Sequence, residues 1–209
     1  MRPITLLDSA HHLISDKLHP GDIAIDATVG NGHDTLFLAS LISPNGKVFG
    51  FDIQQAALDA AREKCRHKHI QECLVLIHDS HADMATYIPA ELHGKISAVM
   101  FNLGYLPGGD KSIITQTDST ITALTTACRI LAIDGIITVL AYPGHSGGDL
   151  ETDAVRTWCE RLNPEQFTVE TLYSSIHKSS APLLFVILKR VGSIIEAKTP
   201  RQSGKLDGC

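Results

Sequence analysis

The sequence has no lysine between Asp26 and Pro44, no C-x-x-C pair, and no apolar run of the roughly 18 residues that a membrane-spanning helix needs. Each absence removes a class of protein. Without a lysine behind the glycines at 30 and 32, the turn lacks the G-x-x-x-x-G-K-[ST] pattern that cradles a nucleoside triphosphate. The five cysteines, Cys65, Cys73, Cys128, Cys159 and Cys209, are odd in number and scattered, which points to reduced structural thiols. The N-terminal stretch is interrupted by Asp8, His11, His12, Asp16 and Lys17 and carries no signal-peptide core, so a soluble cytoplasmic protein is expected. Excess positive charge is missing too: the net charge is -5, which gives no general pull on nucleic acid. The balance is uneven, because residues 177–209 carry a net +4 and "AREKCRHKH" (61–69) forms a second basic cluster. Solvated surface is the plainer reading of both.

What is present suits one domain. A chain of 209 residues with 44% hydrophobic content buries a single sizeable core, expected over residues 1–191, with 192–209 as a flexible tail. Short apolar runs of strand length follow one another: 22–26, 47–53, 73–78, 96–101 and 135–142. Helical patterns lie between them, the clearest being "DSTITALTTACRILA", where Ile121, Leu124, Cys128 and Leu131 share a face. Two further runs, 167–176 and 181–191, leave no room for a helix between them. The expected fold is therefore α/β: one Rossmann-like, doubly wound sheet of seven strands, mostly parallel, ending in a C-terminal antiparallel pair.

The stretch "DATVGNGHDT" (26–35) opens where the first strand ends. Gly30 and Gly32 match the first two glycines of G-x-G-x-x-G, whereas Thr35 stands at the third. Asp26 at the strand end would repel a pyrophosphate and attract an ammonium. Asp52, about 20 residues on, stands where an acid meets ribose hydroxyls. A ligand with a cation, a ribose and an anion taken up by loop amides and the helix N-terminus is S-adenosylmethionine. Adenine would lie against Ile53, with Asp79 or Ser80 meeting its exocyclic amine. Thr28, His33, Gln54 and His81, beside these residues, complete the expected cofactor set.

The fourth strand runs into "FNLGYLPGGDKS" (101–112), which brings Asn102 and Tyr105 to the carboxyl edge of the sheet. Their N-x-x-Y spacing resembles the [DNS]-P-P-[YF] motif of amino-group methyltransferases, with Leu103 and Gly104 replacing both prolines. No cysteine lies in this segment, and methylation at C5 of a pyrimidine generally needs a covalent thiol, so a nucleophilic nitrogen is the expected target. Asn102, Tyr105 and His145 are the candidates to bind or deprotonate it.

Together "DATVGNGHDT", "FDIQ", "FNLGYLPGGDKSI" and "YPGHSGG" resemble a family of small bacterial proteins first labelled "putative rRNA methylase", over roughly residues 5–190. Members are tRNA 5-aminomethyl-2-thiouridine methyltransferases, which methylate the side-chain amine of the wobble uridine. The resemblance implies a class I methyltransferase fold and cofactor contacts at Asp26, Gly30, Asn31, Gly32, Asp34, Thr35, Asp52 and Asn102. It implies a target pocket at Tyr105, Pro107, Asp110, Lys111 and His145, with the tRNA anticodon stem-loop as partner, no membrane, and a homodimer left open. Methylation of rRNA or of a small amine is the alternative. Remoter rivals are a nicotinamide oxidoreductase, a non-catalytic nucleotide-binding module, and a serine hydrolase. The hydrolase reading rests on "GHSGG" (144–148), with Ser146, Asp149 or Asp153, and His177 in hydrolase order.

Overall fold

The computed structural model describes residues 4–106, 108, 114–174 and 180–190. In chain order the elements are α1 (Leu6–Ser15), β1 (Ile23–Asp26), α2 (His33–Ile42), β2 (Lys47–Asp52), α3 (Gln55–Arg66), β3 (Leu74–His78), α4 (Met84–Tyr87), β4 (Ile96–Asn102), α5 (Thr117–Ile130), β5 (Leu131–Ala141), α6 (Gly148–Glu160), β6 (Phe167–Tyr173) and β7 (Leu183–Lys189). The strands form one sheet in the order β3-β2-β1-β4-β5-β7-β6. All neighbours are parallel except β7, which runs antiparallel to both β5 and β6. This is the expected doubly wound α/β sheet with its antiparallel end. The expected tail at 192–209 lies outside the described residues.

Alternation along the strands supplies two cores. On β1 and β4, Ile25, Val99 and Phe101 face the layer of α5 and α6, where they meet Leu124, Ala127 and Val155. Ala24, Ala98 and Met100 face the other way, onto Ala10 and Ile14 of α1 and Leu38 and Ile42 of α2. A strand buried on both faces reads as an unbroken apolar run, which is why these segments were legible without a period. Fully burying a side chain such as Phe51 or Phe101 is worth about 1.5–3 kcal/mol relative to leaving it exposed.

Two local features depart from the sequence expectation. The chain starts with a helix that the broken apolar pattern of 1–22 did not announce, although Thr5 and Asp8 cap it reciprocally: Thr5 Oγ1 accepts from the Asp8 amide, and the Asp8 carboxylate accepts from the Thr5 amide. Leu131, expected on the apolar face of α5, is instead the first residue of β5 and pairs with Ile96 of β4. The helix ends at Ile130, two residues short of the helical pattern, because ladder pairing to β4 competes for that backbone.

Gly32 joins the two helices that flank the first turn. Its φ is +73°, and a Cβ there would overlap the Ala61 backbone of α3. Close helix packing, the usual task of the third glycine in the fingerprint, is thus done by the second. Replacing it by alanine imposes both backbone strain and a clash. Gly32→Ala is expected to lower stability by about 1–3 kcal/mol in urea denaturation. Unchanged stability would refute the close approach.

Candidate active site

At the switch point of the sheet, β1 and β4 lie side by side and the connections leaving them cover opposite faces, which opens a crevice above their carboxyl ends. A cavity of about 830 Å³ occupies that position. Thr28, Gly30, Asn31, His33 and Asp34 line it from the first turn, Asp52, Ile53 and Gln54 from the second, Asp79, Ser80 and His81 from the third, and Asn102 from the end of β4. Tyr105 and His145 line it from the connections that follow β4 and β5, across the switch point from β2 and β3. Asp26, Gly32 and Thr35 lie behind the lining. Pro107, Asp110, Lys111 and His177 fall outside the described residues.

Asp26 is buried, and its carboxylate accepts from the Thr28 amide (3.1 Å) and the Thr35 hydroxyl (2.5 Å). Burial, and after it the charge of Asp34, push its carboxyl up to about 7. The carboxylate that faces the cavity beside it is Asp34. His11 Nε2 of α1 donates to Asp34 Oδ1 at 2.7 Å while its ring stacks on Phe37 at 3.9 Å, and Asn102 Nδ2 lies 3.5 Å from Oδ2. Nothing in the local sequence pairs His11 with Asp34, because α1 and α2 meet only through the fold.

Asp52 uses both oxygens on the backbone. Oδ2 accepts from the Gly30 amide (2.9 Å) and Oδ1 from the Gln54 amide (2.8 Å). Each oxygen keeps a lone pair, so the carboxylate remains competent to receive two hydroxyl donors. The same bonds take three of the loop amides away from the expected anion cradle, which leaves the helix N-terminus as its remaining part. The Thr28 and Gly30 amides donate to Asp26 and Asp52, and the Gly32 amide donates to Val29 O at 2.8 Å. These donors turn inward to fix the loop.

Asp79 accepts from the Ser80 amide (2.7 Å) and the Tyr87 hydroxyl (2.6 Å), and the Tyr87 bond holds its carboxyl below the usual range. His81 is buried and edge-on to Phe101. Its Nδ1 faces the Ala27 carbonyl at 3.1 Å and must therefore carry the hydrogen. Burial lowers its pKa, which leaves a neutral ring whose Nε2 has no partner among the described residues.

Across the switch point, the Asn102 amide donates to Thr28 Oγ1 at 2.7 Å, which ties the end of β4 to the first turn. Tyr105 is 37% exposed and meets His145 edge to face, with ring centroids 5.9 Å apart. His145 Nδ1 lies 3.1 Å from Ser146 O, while Nε2 is sealed against Gly104 and Gly148. The sequence reading missed Tyr142, which lines the cavity and whose hydroxyl pKa is raised by burial and by Asp34. It also missed Glu151, buried in the first turn of α6. Ser146 is exposed and does not line the cavity, and Asp153 is engaged with Arg156. The basic cluster at 61–69 closes α3, which runs away from the carboxyl edge, and Arg62 and Arg66 are paired with Asp59 and Glu63.

Residues 48–188 match the family model described as "Putative rRNA methylase". This chain belongs to that family. It is 34% identical over 189 residues to a chloroplastic tRNA (mnm(5)s(2)U34)-methyltransferase of Arabidopsis thaliana, covering 87% of this chain and 68% of the relative. Among solved structures, a "putative rRNA-methylase" from Clostridium thermocellum is 39% identical with a TM-score of 0.85, covering 90% of this chain and all of the other. A "putative methyltransferase" from Streptococcus mutans, solved in complex with SAH, is 36% identical with a TM-score of 0.77, covering 90% and 99%. The protein is an S-adenosylmethionine-dependent methyltransferase with the class I fold. Its cavity fits that cofactor: Asp34 offers negative charge for an ammonium, Asp52 offers two acceptor sites for a diol, and the exposed Ile53 offers an apolar face for a base. Among the described residues no helix is long and apolar enough to cross a membrane.

The buried Asp26 generates a pH prediction. Unfolded, it titrates near 3.8, and folded it titrates near 7, so the folded state holds the proton longer. The stability it contributes is complete below 3.8 and is lost as pH rises to about 7. Asp26→Asn is expected to lose less stability across that window than the wild type, measured by denaturant unfolding on either side of it. Parallel pH profiles for the two proteins would remove Asp26 as the source.

Proposed function

We propose that this protein methylates the aminomethyl nitrogen of 5-aminomethyl-2-thiouridine at the wobble position of tRNA, reading the anticodon stem-loop. Two things support the reading: the Arabidopsis relative with that printed specificity, and a half-exposed aromatic ring, Tyr105, lining the cavity across the switch point from Asp52. A base turned out of a single-stranded loop stacks on such a ring. When bound, S-adenosylmethionine supplies a sulfonium methyl, whose S–C bond breaks as the amine nitrogen forms the N–C bond, giving S-adenosylhomocysteine and one released proton.

The chain's own residues have three tasks. Asp52 and Asp34 hold the cofactor's diol and ammonium, Ile53 meets its base, and Asp79 or Ser80 meets the base's amine. Tyr105 stacks the target base, and Asn102 offers a side-chain carbonyl to the amine. His145 keeps Tyr105 edge-on, and its sealed Nε2 makes it a support for the ring in this conformation. Most of the acceleration then comes from orientation, since a neutral amine is already nucleophilic. The net charge of -5 argues against broad phosphate contact, and recognition confined to a stem-loop reconciles it with a tRNA substrate.

The deciding experiment is nucleoside mass spectrometry of tRNA from cells lacking the protein. Accumulated 5-aminomethyl-2-thiouridine is expected, and loss of a methyl mark from rRNA instead would replace the substrate assignment. In the purified protein, Asp52→Ala is expected to weaken cofactor binding by about 10- to 100-fold in calorimetry. Tyr105→Ala should leave that affinity nearly intact and reduce turnover; unchanged cofactor affinity in Asp52→Ala would refute the diol assignment. Turnover should also rise with pH as the substrate amine loses its proton, and a flat profile with chemistry limiting would contradict an amine target.

A further inference from the structure

Glu151 is a carboxylate that the reaction described above does not use. It lies in the first turn of α6, buried to 3% exposure, and both of its oxygens are taken by threonine hydroxyls. Thr115 Oγ1 donates to Oε2 and Thr120 Oγ1 donates to Oε1, each at 2.7 Å. A burial of this kind is costly unless every lone pair finds a donor, so a buried glutamate outside a catalytic cavity calls for a reason.

The reason lies one bond further on. A hydroxyl carries a single hydrogen, and that of Thr115 points at Glu151, so its lone pairs point elsewhere. They receive the Gly104 amide at 2.9 Å. In the opposite direction the Thr115 amide donates to the Gly104 carbonyl at 2.8 Å, and Tyr105 pairs with Ile114 in an antiparallel bridge. Gly104 is therefore held by both its N–H and its C=O, at a φ of +133° that suits glycine. The chain Gly104 N–H to Thr115 hydroxyl to Glu151 polarises in one sense, which strengthens each bond. The next residue is Tyr105. Its ring is met from the side by His145, three residues before α6 begins. The segment around Tyr105 is thus held twice from this side of the fold: the His145 ring in the β5–α6 connection meets the Tyr105 ring, and Glu151 in the first turn of α6 reaches Gly104 through Thr115.

We infer that Glu151 is a positioning residue: through Thr115 it sets the Gly104 backbone and thereby the direction in which Tyr105 presents its ring to the target base. Thr120 fastens the same carboxylate to α5, so the wall that carries Tyr105 is referred to two helices. The inference rests on the assignment of Tyr105 to the target, and it makes Glu151 specific to the target half of the cavity, because among the described residues its side chain bonds Thr115 and Thr120 and not the residues assigned to the cofactor.

The test uses the full chain with three substitutions, Thr115→Val, Thr115→Ser and Glu151→Gln, and three readouts. Amide exchange at Gly104 reports the tether without any substrate, calorimetry with S-adenosylmethionine reports the cofactor half, and kcat and KM on tRNA carrying 5-aminomethyl-2-thiouridine report the target half. In Thr115→Val the Gly104 amide should exchange at least about tenfold faster than in the wild type, while exchange at Val99 in β4 stays the same. Cofactor affinity should stay within about threefold, and kcat/KM should fall by about 10- to 100-fold, as a displacement on the order of 1 Å at a reacting site produces. Thr115→Ser, which keeps the hydroxyl, should recover most of kcat/KM, and Glu151→Gln, which can accept from only one threonine, should lie between.

Unchanged Gly104 exchange in Thr115→Val would overturn the tether. Faster exchange with unchanged kcat/KM would overturn its bearing on the reaction. A parallel fall of cofactor affinity and turnover, with faster exchange throughout β4, would reduce Glu151 to a general structural part. A wild-type protein inactive on this tRNA would instead sink the substrate reading, and Gly104 exchange would still decide whether the tether exists.

Discussion

The placement of β1 beside β4 is the constraint from which the rest follows. Two parallel neighbours whose connections depart to opposite faces cannot both be covered above their carboxyl ends, so a crevice is unavoidable there. The structure stitches that gap at its floor. The Ala27 amide donates to Met100 O at 2.9 Å, and the Asn102 amide donates to Thr28 Oγ1 at 2.7 Å. Above this floor the strands can no longer pair, and each side is free to carry different chemistry.

The first-turn acids illustrate a division of labour that backbone chemistry imposes. A loop that bends as sharply as 28–32 exposes amides that need acceptors. Asp26 and Asp52 provide them, and the cost is visible in Asp26, whose carboxyl is pushed up to about 7 by burial and by Asp34. The glycine turn is thus hydrogen-bonded internally before any ligand arrives, which lowers the ordering cost of binding. Asp34, steadied by His11, and Asp52, with lone pairs remaining, face the cavity.

The sheet was readable in the sequence because its strands are buried on both sides and so appear as continuous apolar runs, five of them separated by helical spacing and the last two by a short link. Strand ends were readable for the same reason, and with them Asp52 and Asn102. Three features were not, and each depends on contacts between distant segments. His11 meets Asp34 only because α1 docks beside α2. Leu131 reads as helical by period but lies opposite Ile96 in the sheet. Glu151 sits in "DLETD", which reads as a solvated acidic face, yet it is buried and its carboxylate is met by the hydroxyls of Thr115 and Thr120. The inward-facing amides of the glycine turn belong with these, since a fingerprint records that the backbone can approach a ligand and not what it is already bonded to.

The distribution of charge around the cavity bears on how an acidic protein could transfer a methyl to an amine. The acids that line it among the described residues are Asp34, Asp52 and Asp79, all from the first three turns. The other lining, from Leu103 through Tyr105 and Ile114 to Tyr142 and His145, presents aromatic and apolar groups and, among the described residues, no carboxylate. A carboxylate beside the target amine would favour its ammonium form, which has no lone pair to offer. A wall of rings and glycines does the reverse, because it desolvates the nitrogen and lowers its affinity for the proton. On the proposed reaction, the same crevice attracts a cation on one side and discourages one on the other. Asp34 stands at that boundary, since it bonds His11 of α1 on one oxygen and meets the side-chain amide of Asn102, at the end of β4, on the other.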